Sequence, residues 1–219
     1  MRVLLLPIVD VKRRYDGSRR EATTRATKAD VIAAAHDLFV AQGYTSTTVA
    51  QIADASQTPQ STVYRLFGSK RGILKEVLDV SFGGDDEPVE FQHRPEVRDA
   101  FAAEDPSAML DAFAHVVGGV LHRSAALQAV LAESAATDPE AAEMLEITRR
   151  QRHVGQSRIV RALAKAGALR SDLRPGTAAD IVYALMSPEV FRCLTVQRGW
   201  TGAAYERWLS ETLRTQLLK

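Results

Sequence analysis

The sequence predicts an all-α protein with short helices near its N-terminus and a longer helical body behind them. Three observations support this fold class. Apolar residues recur at three-to-four spacing along most of the chain, strand-like alternation is not found, and capping residues or prolines precede most apolar runs. A Gly-rich and acidic stretch at 83–88 separates the two groups of helices. We therefore predict a flexible basic arm over 1–26, a first domain over 27–82 and a second over 95–219.

The first predicted helix begins at Thr27, which we expect to cap it, and ends before Gly43. A capping box, Thr48 to Gln51, opens a short second helix that runs to about 55. Thr58 and Pro59 offer a cap followed by a proline for a short third helix over about 59–66. Ser69 caps a fourth helix over 70–82, which Gly83-Gly84 ends.

The second domain is predicted to consist of longer helices that start at prolines or aspartates. Their approximate ranges are 95–103, 105–121, 125–135, 138–167, 177–186 and 203–218. Ser187-Pro188 kinks or restarts the helix before it, because proline removes an N–H donor and clashes with the preceding turn.

Composition bounds the class of protein. With 219 residues, 46% hydrophobic and 25% charged, the chain is ordinary for a globular protein and long enough for a real core. The single cysteine, Cys193, excludes an intramolecular disulfide and a multi-cysteine zinc site, and it fits a reducing cytoplasm. No apolar run approaches the ~20 residues of a membrane span, and the run at 3–9 is too short for a signal peptide. We expect a cytoplasmic protein.

The charge is distributed unevenly along the chain. Residues 1–80 carry 12 Lys and Arg against 8 Asp and Glu, whereas the remainder carries 16 against 19. A basic N-terminal part on a mildly acidic body favours a polyanionic partner at one end. A basic tail that is merely solvated is the alternative interpretation.

Two short helices separated by about three residues, with a longer helix on each side, have the layout of a helix-turn-helix. Ala53 is small where the two helices would cross. Val63 and Phe67 can face inward on the third helix while its polar residues face outward. In such a motif the second short helix enters the major groove of DNA.

The stretch from Phe39 to Leu74 resembles the DNA-binding domain of the TetR family of transcriptional regulators. The residues that carry the resemblance are Phe39, Gly43, Tyr44, Thr47-Thr48-Val49, Ile52-Ala53, Thr62-Val63-Tyr64, Phe67, Ser69-Lys70 and Ile73-Leu74. At 56–59 the chain has Ser-Gln-Thr-Pro where the family has Ala-Gly-Val-Ser. The resemblance implies a three-helix helix-turn-helix domain, a C-terminal helical bundle that binds ligand and dimerises, and a homodimeric repressor of palindromic operators that a small-molecule effector releases.

The resemblance also implies roles for six residues at the DNA. Thr48 and Lys70 would lie at helix N-termini beside phosphates, where N–H donors and the helix dipole favour anions. Tyr64 would contact phosphate, or else be a core aromatic. The candidates for base edges are Gln60, Ser61 and Arg65, since glutamine pairs with adenine and arginine with guanine. Alternatively, Arg65 does not contact a base and is only solvated or bound to phosphate.

The predicted arm carries the arginines Arg13, Arg14, Arg19, Arg20 and Arg25. Basic arms can enter the minor groove beside a helix-turn-helix. The alternative is a tail that adds only charge.

The resemblance places the dimer seam on the last two helices, which pair with their symmetry mates in a four-helix bundle. We expect near that seam Ile181, Leu185, Tyr205, Trp208 and Leu209, although some of them could pack only within the subunit. The middle helices would form the effector pocket. Its candidate residues are Phe113, Val117, Met144, Ile147, Gln151 and Arg158, because a few polar groups on an apolar stripe suit a ligand pocket. Alternatively, these six residues belong to the ordinary hydrophobic core or lie at its rim.

Rival functions have little support in the sequence. His115 and His122 share a helix face with Asp111, but nothing implies a further ligand, so we predict no metal and no cofactor. The chain lacks a Walker loop, a dinucleotide glycine fingerprint, a nucleophile elbow and a zincin helix, so we predict no enzymatic activity. A helical small-molecule-binding or scaffold protein without DNA binding is the alternative function.

Overall fold

The computed structural model describes residues 17–85, 87 and 89–219 and shows an all-helical fold in that part of the chain. Its α-helices are α1 Gly17–Gln42, α2 Val49–Ala55, α3 Gln60–Phe67, α4 Lys70–Gly83, α5 Pro95–Ala102, α6 Pro106–Ser134, α7 Pro139–Lys165, α8 Pro175–Leu185, α9 Pro188–Arg192 and α10 Gly202–Leu217. A 3₁₀ turn lies at Phe91–His93 and a π-helical turn at Cys193–Gln197. The predicted fold class is confirmed.

Local sequence explains most helix starts. Proline occupies the first turn of α5 through α9, where its missing N–H costs nothing. Asp105 and Asp138 each accept hydrogen bonds from two first-turn N–H groups, of α6 and α7 respectively. None of the helices among the described residues has both the length and the hydrophobicity that crossing a bilayer requires.

The first helix is longer than predicted. It begins at Gly17, ten residues before Thr27, so residues 17–26 are helical and not part of a flexible arm. Thr27 lies inside the helix, where its hydroxyl donates to the Thr23 carbonyl at 3.0 Å and caps nothing. The segment 19–22, Arg-Arg-Glu-Ala, consists of good helix formers, which explains the extension. Residues 1–16, with Arg13 and Arg14, lie outside the described residues.

The sixth helix is continuous over 29 residues, whereas two helices were predicted from 105 to 135. The glycine pair at 118–119 does not interrupt it. Its buried face continues through Leu121, Ala125 and Leu131, and this tertiary packing outweighs the weak helix propensity of glycine.

The packing joins the two predicted domains. The core of α1–α4 includes Leu127 and Leu131 from α6 and Ala141 and Met144 from α7. A second core is formed by the rest of α6 and α7 with α8, α9 and α10. The loop at 83–88 separates the domains in sequence, but α6 and α7 contribute to both cores.

The end of α4 is held by two arginines. Arg123, on α6, donates to the carbonyls of Ser81 and Phe82 at 3.2 and 3.3 Å, which satisfies acceptors that a helix end leaves free. Arg94 makes a bidentate pair with Asp85 at 2.7 and 2.8 Å. This pair, with the backbone N–H of Glu87, lowers the pKa of Asp85 to about 2. The joint between α4 and the body is therefore fixed by specific polar contacts.

Candidate nucleic-acid interface

The N-terminus of α2 is closed by the predicted capping box. The Thr48 hydroxyl accepts from the Gln51 N–H at 3.2 Å, and the Gln51 side-chain oxygen accepts from the Thr48 N–H at 2.8 Å. Thr48 remains exposed. It thus presents a hydroxyl and a helix N-terminus to the outside, an arrangement suited to a phosphate.

The turn between α2 and α3 differs from the predicted helix start. Gln57 has a φ of 51°, in the left-handed region, at the position where the family pattern has glycine. Thr58 is buried at 7% exposure and its hydroxyl donates to the Ser56 carbonyl at 3.2 Å, so it does not cap α3. Pro59 is the N-cap residue, and its carbonyl accepts from the N–H groups of Thr62 and Val63. The turn is formed at the cost of one residue, Gln57, in the left-handed region.

The third helix presents a polar face to solvent. Val63 is fully buried and anchors the helix, while Tyr64 on the next position is 47% exposed. Gln60, Ser61 and Arg65 are also exposed. Positions 60, 61, 64 and 65 share one side of a helix because one turn takes 3.6 residues. The structure therefore brings four of the six predicted DNA contacts together on one accessible face and excludes Tyr64 as a core aromatic.

Lys70 lies at the start of α4 but is occupied within the protein. Its ammonium donates to the carbonyls of Tyr44 and Thr47 at 3.0 and 3.2 Å, with the Thr45 carbonyl at 3.5 Å. It also lies 4.2 Å from the centre of the Tyr44 ring. An ammonium has three donors, and all three are used here. Lys70 ties α4 to the loop before α2, so its ammonium is bonded to protein carbonyls at the helix N-terminus where the resemblance implies a phosphate contact.

The body holds the DNA-binding helices through further contacts that the sequence did not reveal. Tyr44 is buried against Phe39, and burial together with nearby Asp138 and Glu140 raises the pKa of Tyr44 to about 12. Arg71 forms an ion pair with Glu143 of α7 at 2.9 Å. Arg71 and Glu143 lie far apart in the sequence, so no local pattern predicts their contact.

The six predicted pocket residues do not line one space. Phe113 and Val117 are buried in the core of the body, and Met144 belongs to the other core. Ile147 and Gln151 are exposed, and Arg158 donates to the Gln92 side-chain oxygen at 2.7 Å. The buried face of α7 instead includes two polar residues, Thr148 and Gln156. An apolar groove of about 340 Å³ lies elsewhere, between α1 and α4.

The predicted dimer residues divide into two groups. Tyr205 and Leu209 are fully buried in the subunit's own core, so they are not available to a partner. Ile181, Leu185 and Trp208 are partly exposed and remain candidates for a seam.

His115 and Asp111 lie on the helix face for which we predicted no metal, and both contact protein side chains. His115 lies 2.9 Å from the Glu206 carboxylate, and Asp111 accepts from Ser210 and, at 2.6 Å, from Arg214. In the described part of the chain no three or more potential ligands cluster around a point that could hold a metal ion.

This arrangement, two short helices joined by a tight turn with a polar face on the second, has the layout of the helix-turn-helix motif of DNA-binding proteins. Residues 31–77 match the family model described as bacterial regulatory proteins, tetR family. Over these residues the chain is similar to the TetR family of transcriptional regulators.

Comparison with individual proteins agrees with this assignment. Over 102 residues the chain is 40% identical to the HTH-type transcriptional regulator TcmR of Streptomyces glaucescens, and the alignment covers 46% of this chain and 42% of TcmR. The chain thus matches less than half the length of this relative.

Solved structures resemble the fold over most of the chain. NalD, the secondary repressor of the MexAB-OprM multidrug efflux pump in Pseudomonas aeruginosa, has a TM-score of 0.64 at 18% identity, covering 90% of this chain and 98% of NalD. A Saccharomonospora viridis protein in complex with choline has a TM-score of 0.65 at 17% identity, covering 89% and 98%. At these identities the likeness concerns the fold alone.

Proposed function

We propose that this chain is a homodimeric repressor that binds palindromic operators through α3 and is released by a small-molecule effector. The observation that carries the proposal is the exposed polar face of α3, held by the buried Val63 and a tight turn. This face carries four side chains that can hydrogen-bond to bases or phosphates, namely Gln60, Ser61, Tyr64 and Arg65.

Each side chain on the face has a chemical role in DNA recognition. Gln60 can form two hydrogen bonds with adenine, and Arg65 can form two with guanine O6 and N7. Ser61 can bond to either kind of edge, and the hydroxyl of the half-exposed Tyr64 suits a phosphate oxygen. The exposed N-terminus of α2 at Thr48 adds a second phosphate site, which fixes the orientation of α3 in the groove.

The length of α3 supports a dimer. Eight residues span only about 12 Å, so one helix reads too few bases for useful specificity. Two copies about 34 Å apart would match successive major grooves of a palindrome. The partly exposed Ile181, Leu185 and Trp208 on α8 and α10 support a seam at those helices.

Effector release would act through α4. This helix contributes to the core of the DNA-binding domain and is held at its end by Arg123 of α6. An effector that binds more tightly to a body conformation with displaced α6 would shift the population toward dimers whose α3 helices no longer match the operator. The differential affinity required is typically about 1–3 kcal/mol. Because operator DNA of a bacterium lies in the cytoplasm, we propose action there.

The proposal is tested by an electrophoretic mobility shift with DNA from upstream of the chain's own gene. The full chain should shift this duplex, and Arg65→Ala should weaken binding by about 1–3 kcal/mol, the usual value of a base contact. Arg150→Ala, on the exposed side of α7, is the matched control and should bind as the parent chain does. A helical scaffold without DNA binding predicts no shift for any of the three proteins.

A further inference from the structure

Two buried polar atoms on α7 have no hydrogen-bond partner in the described structure. They are Nη1 of Arg152 and Oε1 of Gln156. The two residues are four apart on the same helix, so they are neighbours on one face. Buried donors and acceptors are almost always paired in folded proteins, and each exception calls for an explanation such as an ordered water or another bound group.

The surroundings of these atoms form a polar site where α7, α8 and α10 meet. Gln156 is 8% exposed, and its side-chain nitrogen donates to the Met186 carbonyl at 3.2 Å. That carbonyl lies just after α8, at the break that Pro188 imposes. The guanidinium of Arg152 stacks on the ring of Tyr183 at 3.9 Å.

A third element closes the site. The hydroxyl of Tyr205, on α10, donates to the Leu185 carbonyl at 3.0 Å, and the charge of Arg152 acts on it. Burial raises the pKa of Tyr205, and Arg152 partly opposes this effect. The Tyr205 ring contacts the rings of Phe191 and Trp208, with centroids 4.9 and 5.8 Å away. The site is therefore a pair of polar groups beside an aromatic cluster, and the partly exposed Arg152 connects it to the surface.

We propose that this site binds the neutral hydroxyl group of an aromatic alcohol, and that phenols are the class of effector. The proposal rests on the proposed effector-regulated function and names the chemistry of its ligand. Arg152 Nη1 can only donate a hydrogen bond, and Gln156 Oε1 can only accept one. The bond from the Gln156 amide nitrogen to the Met186 carbonyl fixes which end of the amide faces the site. One hydroxyl satisfies both, since its oxygen accepts from the guanidinium and its hydrogen is donated to the amide.

Other ligand groups fit less well. A carboxylate pairs with Arg152 but places a second acceptor against Gln156 Oε1, which leaves that atom unpaired and repelled. An ether accepts without donating. An ordered water has the same hydrogen-bonding capacity as a hydroxyl, and a phenol that displaces it keeps both bonds while its ring gains aromatic contacts.

The test measures binding to the full chain without DNA, using phenol, anisole and benzoate as probes. Calorimetric titration and the shift in melting temperature both apply. Phenol should bind saturably with a Kd of about 0.1–10 mM, ordinary for so small a ligand, and anisole and benzoate should each bind at least about tenfold more weakly. A site that holds an ordered water only would show no saturable phenol binding, and this result would overturn the proposal, as would equal binding of phenol and anisole.

Variants locate the site. Gln156→Leu and Arg152→Met should each weaken phenol binding by about tenfold or more, whereas Gln151→Leu, an exposed glutamine on the same helix, should not change it. Circular dichroism checks that the variants fold, and the ligand series on the parent chain decides the question if they do not. Because DNA is left out, phenol binding by a chain that ignores every duplex would refute the proposed function and the effector role while leaving the phenol site, and duplex binding without phenol binding would refute only this proposal.

Discussion

Replacing Gln57 by glycine should stabilise the protein. Gln57 has a φ of 51° in the turn between α2 and α3, and a residue with a Cβ loses about 1–2 kcal/mol in the left-handed region. Its side chain is exposed, and its backbone N–H keeps its bond to the Asp54 carbonyl in the variant. The substitution therefore removes strain without removing a buried contact.

The expected gain is smaller than the strain itself. Glycine has more conformational freedom in the unfolded chain, which offsets about 0.5–1 kcal/mol. The net stabilisation should be about 0.5–1 kcal/mol, and for a chain of this size that raises the melting temperature by roughly 1–4 °C.

Differential scanning calorimetry measures this shift, and Ser56→Gly is the matched control. Ser56 is the preceding residue with an ordinary φ of −85°, so glycine there should lower the melting temperature. Operator binding should be retained in Gln57→Gly because the turn keeps its geometry. A melting temperature for Gln57→Gly at or below that of the parent chain would refute the assignment of strain to this turn.

Three further predictions concern the joint and the N-terminus. Asp85→Asn should make the stability of the fold less sensitive to acid. The Asp85 carboxyl, whose folded pKa is lowered to about 2, stabilises the fold above its unfolded pKa near 4 and loses that contribution as the pH falls toward 2. The free energy of unfolding in urea should therefore depend less on pH between 5 and 2 in the variant. Arg123→Gln should lower the free energy of unfolding by about 0.3–1 kcal/mol, because a cation leaves the C-terminal end of α4. The variant should also change operator affinity in mobility shifts. Unchanged affinity would show that Arg123 does not couple the body to the DNA-binding helices. Deleting residues 1–16 should flatten the salt dependence of operator binding by about one unit of slope per lost phosphate contact, and an unchanged slope would show that these basic residues only add charge.

Local patterns predicted the elements that local chemistry determines. The capping box at Thr48 and the serine cap at Ser69 occur as predicted, because caps depend on residues three positions apart. The exposed face of α3 follows from helical periodicity around the buried Val63. These features suffice to identify the helix-turn-helix.

Tertiary partners and the faces of long helices could not be predicted in the same way. Lys70 bonds to carbonyls 23 to 26 residues earlier, a pairing that no periodicity encodes. On α7 the apolar Ile147 and Val154 are exposed while the polar Thr148 and Gln156 are buried, so hydrophobic spacing selected the wrong face. When some buried positions of a helix are polar, only the contacts of the folded chain show which of its faces is buried.

Selection from a library of random duplexes, followed by sequencing of the bound fraction, tests most directly whether α3 of a symmetric dimer reads DNA. We expect enrichment of a palindrome whose half-sites are separated by whole helical turns, and relaxed preference in each half-site when Gln60 or Arg65 is replaced by alanine. Recovery of no enriched sequence, or of the same motif with both α3 variants, would contradict it.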